Sequence, residues 1–112
     1  MSREDVVRLV EVFEGEVNNG GFHQFFYNSA GDETAEIIQA LEMIRARKAA
    51  DIVRRAASKF PGGMPPKDRF ARQDLLLDSV DPEIKIFAKL DEEFYSYTDD
   101  LQGLLQEYAG WV

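Results

Sequence analysis

Apolar residues recur along the chain at helical three- and four-residue spacing, and no period-two alternation runs long enough for a strand. Val6, Leu9, Val10, Phe13 and Val17 make the first stripe. At about 100° per residue, Glu4 and Glu11 fall on the opposite, solvated face of that helix. Ser2 with Asp5 three residues on has the spacing of a capping box. The run Asn18-Asn19-Gly20-Gly21 then predicts a stop, a turn and a restart, because Asn and Gly tolerate the left-handed backbone that ends helices. After the restart, Phe22, Phe25 and Phe26 stand at i, i+3 and i+4 and share one face. Asp32 is expected to cap the next helix, whose stripe includes Ile37, Leu41 and Ile44.

Residues 46–60 carry the cleanest amphipathic pattern. Ala49, Ile52, Val53, Ala56 and Phe60 are expected inside, with Arg47, Asp51, Arg54 and Arg55 outside. Asp51 lies four residues from both Arg47 and Arg55, a spacing that suits helix-surface ion pairs. Pro61-Gly62-Gly63-Met64-Pro65-Pro66 must form a loop. A short helix is expected over Arg69–Leu77. Asp81-Pro82 reads as another helix start, a cap followed by proline at the first helical position. Ile84, Phe87, Leu90 and Phe94 would line its inner face. The last helix is expected to begin at Thr98 or Asp99, with Leu101, Leu104, Leu105 and Tyr108 inward. The expected fold is all-α: residues 1–112 as a single compact domain of six or seven short helices, without repeats or low-complexity segments.

Asp91 breaks its pattern by projecting near the centre of the Ile84–Phe94 apolar stripe. A buried carboxylate needs partners, since an unpaired ion there costs several kcal/mol. Backbone N–H groups of the Asn18–Phe22 turn, or Asn28, are the expected donors.

Composition adds constraints. Cysteine is absent, which excludes disulfides and thiolate metal sites and fits a reducing cytoplasm. The N-terminal residues show no apolar segment behind a basic one, so no signal peptide is expected, and no apolar run approaches the ~20 residues of a membrane span. The net charge of −8 is unevenly distributed: −7 over residues 1–44, +7 over 45–72 and −8 over 73–112. Acidic ends around a basic middle argue against general nucleic-acid binding. The basic block, running through Lys67, Arg69 and Arg72, is expected to face outward and to be balanced in part by the acidic ends. Its lack of interleaved aromatics argues against base stacking.

Signals for catalysis are weak. His23 is the sole histidine, and a Ser29–His23–Asp32 triad lacks any nucleophile-elbow context. His23 is expected as a partly exposed residue of a short helix. The acid pairs Glu14 with Glu16, Glu92 with Glu93 and Asp99 with Asp100 diverge around their helices and make no shared-proton dyad. Glu-x-x-His motifs, an EF-hand loop and a phosphate loop are all missing from the sequence, so no metal and no cofactor is expected. Phe94, Tyr95, Tyr97 and Trp111 are expected in packing at the core and its rim.

The residues Glu14-x-x-x-Asn18-Asn19-Gly20-Gly21-Phe22-His23-Gln24-Phe25-Phe26-x-Asn28-Ser29, followed by Leu90-Asp91-x-x-Phe94-Tyr95, resemble a helical family named for a DNA-mimic protein. The resemblance spans nearly the whole chain. It implies an all-α fold and, by analogy, an acidic surface that stands in for duplex phosphates on a basic DNA-binding regulator. Outward acids are the candidates for that surface: Glu4, Glu11, Glu92, Asp99, Asp100 and Glu107. The signature residues Asn18, Asn19, Gly20, Gly21, Phe22, Gln24, Phe25, Phe26, Asn28 and Asp91 are expected to carry the fold. The expected function is therefore non-enzymatic binding to a basic protein, without direct contact to nucleic acid or membrane. Two alternatives stay open. One is an immunity-type or adaptor protein that binds a basic toxin or enzyme through the same acids. The other is an enzyme or small-ligand binder built on the Asn18–Asn28 polar cluster.

Overall fold

Among the described residues, six α-helices make up most of the chain: α1 (Arg3–Tyr27), α2 (Thr34–Met43), α3 (Arg47–Ala57), α4 (Arg69–Leu75), α5 (Ala88–Tyr97) and α6 (Leu101–Ala109). The computed structural model describes residues 1–110, without the side chain of Tyr97. The expectations for Tyr97 and Trp111 thus lie outside the described residues. Among the described residues there is no strand, and no helix is long and apolar enough to cross a membrane.

Helix α1 is the centre of the packing, in contact with α2, α4, α5 and α6. Its start is the expected capping box, with Ser2 and Asp5 bonded reciprocally. Val6, Leu9, Val10, Phe13 and Val17 are all buried, and Glu4 and Glu11 are exposed. The Phe22, Phe25 and Phe26 rings are fully buried. They join Phe13, Phe60, Phe87 and Phe94 in an aromatic core with tilted and edge-on contacts, such as Phe13–Phe94 at 5.4 Å and Phe26–Phe60 at 4.9 Å. Ile37, Leu41 and Ile44 extend this core, as do Ala49, Ile52, Val53 and Ala56 from α3.

The Asn18–Gly21 run interrupts α1 as expected: the backbone leaves helical geometry at Gly20 (φ −154°, ψ 17°) and enters positive φ at Gly21 (φ 73°, ψ −171°), and a second helical segment runs on to Tyr27. The structure departs from the sequence expectations in three places. Asp32 does not cap α2. It lies inside a 3-10 turn, Ser29–Glu33, and its carboxylate is taken by Arg72 at 2.6 Å. Arg72, expected to face solvent, is fully buried. It donates to the carbonyls of Phe26, Asn28, Pro66 and Lys67 as well as to Asp32, and so ties the end of α1 to the loop before α4. All five of its N–H donors have acceptors, which makes the burial of the charge tolerable.

The third departure is at Asp81-Pro82, which does not start a helix. Helix α4 runs into a π turn at Leu76–Val80, and α5 begins only at Ala88. Between them Ile84 sits at φ 53° and is 66% exposed rather than inward. Phe87, Leu90 and Phe94 do face the core as expected.

Helix α6 is capped by Asp100, which accepts the Gly103 N–H at 3.1 Å, and ends at Gly110 with φ 72°. Helix α3 has no capping side chain of its own. Asp99, distant in sequence, accepts the Ala49 N–H at 3.0 Å and serves that end.

Candidate functional site

The break in α1 is clamped by α5. Glycines at 20 and 21 interrupt the intrahelical ladder, so backbone groups beside the break need other partners. The carboxylate of Asp91 accepts the Phe22 N–H at 2.8 Å, as expected from its position in the apolar stripe. One turn later on α5, the Tyr95 hydroxyl donates to the Val17 carbonyl at 2.7 Å. An i, i+4 pair on one helix thus serves one donor and one acceptor of the other. Gly21 is required twice over: its φ is positive, and a Cβ there would come within 2.5 Å of an Asp91 carboxylate oxygen. Burial raises the Asp91 pKa above the usual carboxylate value, and the charge of Asp81 adds to the rise. The Phe22 N–H acts the other way without cancelling it. Burial and the nearby Asp91 charge likewise raise the Tyr95 phenol.

Beside the clamp lies a small polar cavity of about 190 Å³, lined by Gly20, His23, Asp81, Ile84, Lys85, Phe87, Ala88 and Asp91. His23 Nδ1 and Asp81 Oδ2 are 2.8 Å apart. The other Asp81 oxygen accepts the N–H groups of Lys85 (2.7 Å) and Ile86 (2.8 Å), which folds the 81–87 segment into a turn. Asp81 is 2% exposed. Burial pushes its pKa up, but the Ile86 N–H, His23 and the Lys85 N–H together outweigh this and hold it below the ordinary value. The partner of His23 is therefore Asp81, from far along the chain, and not Asp32. Nothing in the local sequence around His23 signals this pairing.

The remaining polar signature residues turn elsewhere. Gln24 and Asn28 both donate to Glu16, at 2.8 and 3.1 Å, and Asn19 makes a long contact with Gln24 at 3.4 Å. Glu16, before the break, thus holds the segment that follows it. A Cβ on Gly20 would come within 2.0 Å of the Gln24 side chain. His23, Gln24 and Asn28 do not meet in one cleft, and Asn18 and Asn19 are exposed. Among the described residues no cluster of His, Asp and Glu has the spacing to hold a metal ion.

The six candidate surface acids divide into two groups. Glu4 and Glu11 on α1, Glu92 on α5 and Glu107 on α6 are exposed, without an ion-pair partner among the described residues. Glu107 shares a cleft of about 340 Å³ with Met43, Ile44, Arg45, Leu104 and Tyr108. Asp99 is half-buried and committed to α3, and Asp100 caps its own helix. Helix α6 packs on α1, and Gln102 donates to Glu14 across the contact at 2.5 Å. The expected divergence of Glu14 and Glu16 follows from these partners.

Among the described residues, four of the nine cations in the basic block are paired: Arg54 with Glu42, Arg55 with Asp51 and Glu93, Lys67 with Glu36, and Arg72 with Asp32. Arg8 adds a two-pronged bond to Glu33 at 2.9 and 3.0 Å, linking α1 to the turn before α2.

Against known proteins, the family model described as DMP19-like protein matches residues 2–110. No curated protein and no solved structure matches the chain. With nearly the whole described helical array inside that match, including the glycine break, its Asp91 clamp and the buried phenylalanines, the chain belongs to the DMP19-like protein family.

Proposed function

We propose that this chain is a non-enzymatic binding protein whose acidic helical surface occupies the DNA-binding face of a basic regulator in place of duplex phosphates. The carrying observation is on α1 and α6. Glu4 and Glu11 are exposed two turns apart on α1, with no cation at ion-pair distance among the described residues. The neighbouring α6 contains no cation at all and presents Glu107. Carboxylates fixed on packed helices offer negative charge where Arg and Lys side chains expect phosphate, and they lose less entropy on binding than mobile tails do. Such association is fast and screened by salt. Asp99 and Asp100 contribute to this surface only indirectly, because their carboxylates hold helix ends.

The test is capture of a host DNA-binding protein on the immobilised chain, followed by elution with duplex DNA. Wild type should hold a basic protein that DNA or about 0.3 M salt releases, given a Debye length of roughly 5–6 Å there. The triple variant Glu4→Gln, Glu11→Gln, Glu107→Gln should capture at least about tenfold less. A captured protein indifferent to DNA and to the triple variant would overturn the reading, as would the absence of any DNA-released protein. An immunity-type role would use the same acids. It is favoured if the captured protein is a basic toxin or enzyme that DNA does not displace.

A further inference from the structure

Away from the acids, the segment that contradicts its own helix signal builds a second surface. Ile84 is a β-branched residue at φ 53°, a backbone region such side chains rarely adopt. Backbone strain of this kind persists only where the surroundings over-determine it, and it concentrates at functional sites. Here the over-determination is visible: buried Asp81 binds the Lys85 and Ile86 N–H groups on one oxygen and meets His23 on the other. The result presents Ile84, 66% exposed, and Ile86, 42% exposed, to solvent instead of to the core.

Ile86 forms one wall of a groove of about 630 Å³ between the end of α3 and the start of α5, whose apolar lining includes Ala88 and Leu90. Around these apolar groups stand Lys59, Lys85 and Lys89, together with Arg55 and Glu93, which pair with each other, so that the lining is net positive. Lys85 and Lys89 are the only two cations in residues 73–112 of a chain whose net charge is −8. Both line this groove, Lys85 from the turn before α5 and Lys89 from its first turn. Among the described residues Lys59 and Lys89 have no ion-pair partner, and Lys85 has only an exposed pair with Glu83, a kind that contributes little.

We infer that this groove, with the strained 81–87 turn as its rim, is a docking site for an acidic amphipathic protein segment. The apolar lining takes hydrophobic anchors, and the three lysines take flanking carboxylates. A nucleic-acid backbone would use the same lysines but has nothing to place against Ile86 and Leu90, and no aromatic ring lines the groove for base stacking. The site is separate from the proposed acidic surface and of opposite sign, so its occupant differs in kind from the basic partner proposed above.

The probe is a fluorescent amphipathic peptide of about 18 residues, five helical turns, with Leu on one face and Glu on the other. A scrambled peptide of the same composition and a duplex DNA of similar charge serve as comparators. Anisotropy should show the patterned peptide binding at least about tenfold more tightly than the scrambled one. Lys59→Glu with Lys89→Glu should weaken it at least about tenfold, and Ile86→Ser should weaken it about three- to tenfold. Amide shifts in an NMR titration should cluster at residues 55–59 and 84–93. Because the substituted side chains are exposed, circular dichroism should match wild type. Equal binding of both peptides, tighter binding of DNA than of the patterned peptide, no detectable peptide binding, or shifts centred outside the groove would each overturn the inference. The variant Glu4→Gln, Glu11→Gln, Glu107→Gln should bind the peptide as wild type does. The two functional readings can therefore fail separately.

Discussion

At the α1 break the chain enters positive φ on Gly21, whereas at the 81–87 turn it does so on Ile84. Both places line the same small cavity, and both are held by a carboxylate that accepts backbone N–H groups: Asp91 for Phe22, Asp81 for Lys85 and Ile86. They differ in what the residue type does. Glycine at position 21 removes the steric cost and lets Asp91 approach within a distance no Cβ would allow. Isoleucine at position 84 accepts the cost and leaves an apolar side chain in water. The first break is built for stability. The second retains strain where a less costly residue would fit, and so it is the one that points to function.

The strongest way to break this contrast is Gly21→Ala. It adds positive-φ strain and displaces the Asp91 carboxylate, and should cost about 3 kcal/mol in chemical denaturation. A loss below about 1 kcal/mol would mean that the break relaxes freely. Next comes Asp91→Ala, which strands the Phe22 N–H and should cost about 1–3 kcal/mol. Asp91→Asn keeps an acceptor, and at low pH, where the Asp91 carboxyl is itself protonated and neutral, its effect should lie within about 0.5 kcal/mol of zero.

Ile84→Gly should act in the opposite direction from Gly21→Ala. Relief of the positive φ should raise stability by about 0.5–1 kcal/mol, the extra freedom of glycine in the unfolded chain offsetting part of the gain. Destabilisation by Ile84→Gly would show that the isoleucine packs rather than strains, and the contrast would fail.

The smallest effect is in pH. The folded-state pKa of Asp91 is raised, so ionisation favours the unfolded chain. Wild type should therefore lose stability relative to Asp91→Asn as pH rises from about 4, its ordinary value, through the raised one, and the gap should then level off. Asp81, with its pKa lowered, has the opposite sign. Its contribution is present above about 4 and lost as pH falls through the lowered value. Denaturation midpoints between about pH 3 and 7 measure both trends.

The sequence reveals what local periodicity controls. The stripes of α1, α2 and α3 and the phenylalanine triplet follow from spacing, and Asp91 is legible because a carboxylate in an apolar stripe must find donors. Arg72 is not legible. Its acceptors are carbonyls at positions 26, 28, 66 and 67, and carbonyls carry no sequence signature. Asp81-Pro82 misleads for a related reason: Asp81 does cap backbone N–H groups, but those of a turn, and its link to His23 spans 58 residues. The acidic surface was readable as exposure at Glu4, Glu11, Glu92 and Glu107. It was not readable at Asp99, whose target is the start of a helix far away in sequence.

On the proposed division of labour, the glycine break and its clamp hold the fold, and the exposed acids of α1 and α6 would meet a basic partner. One paired measurement tests it most directly: thermal unfolding and DNA-released capture, both on Glu4→Gln, Glu11→Gln, Glu107→Gln. The expected result is a Tm within about 3 °C of wild type, equivalent to well under 1 kcal/mol, together with loss of the captured protein. Capture that persists at wild-type level, or that disappears only because the variant unfolds, would contradict it.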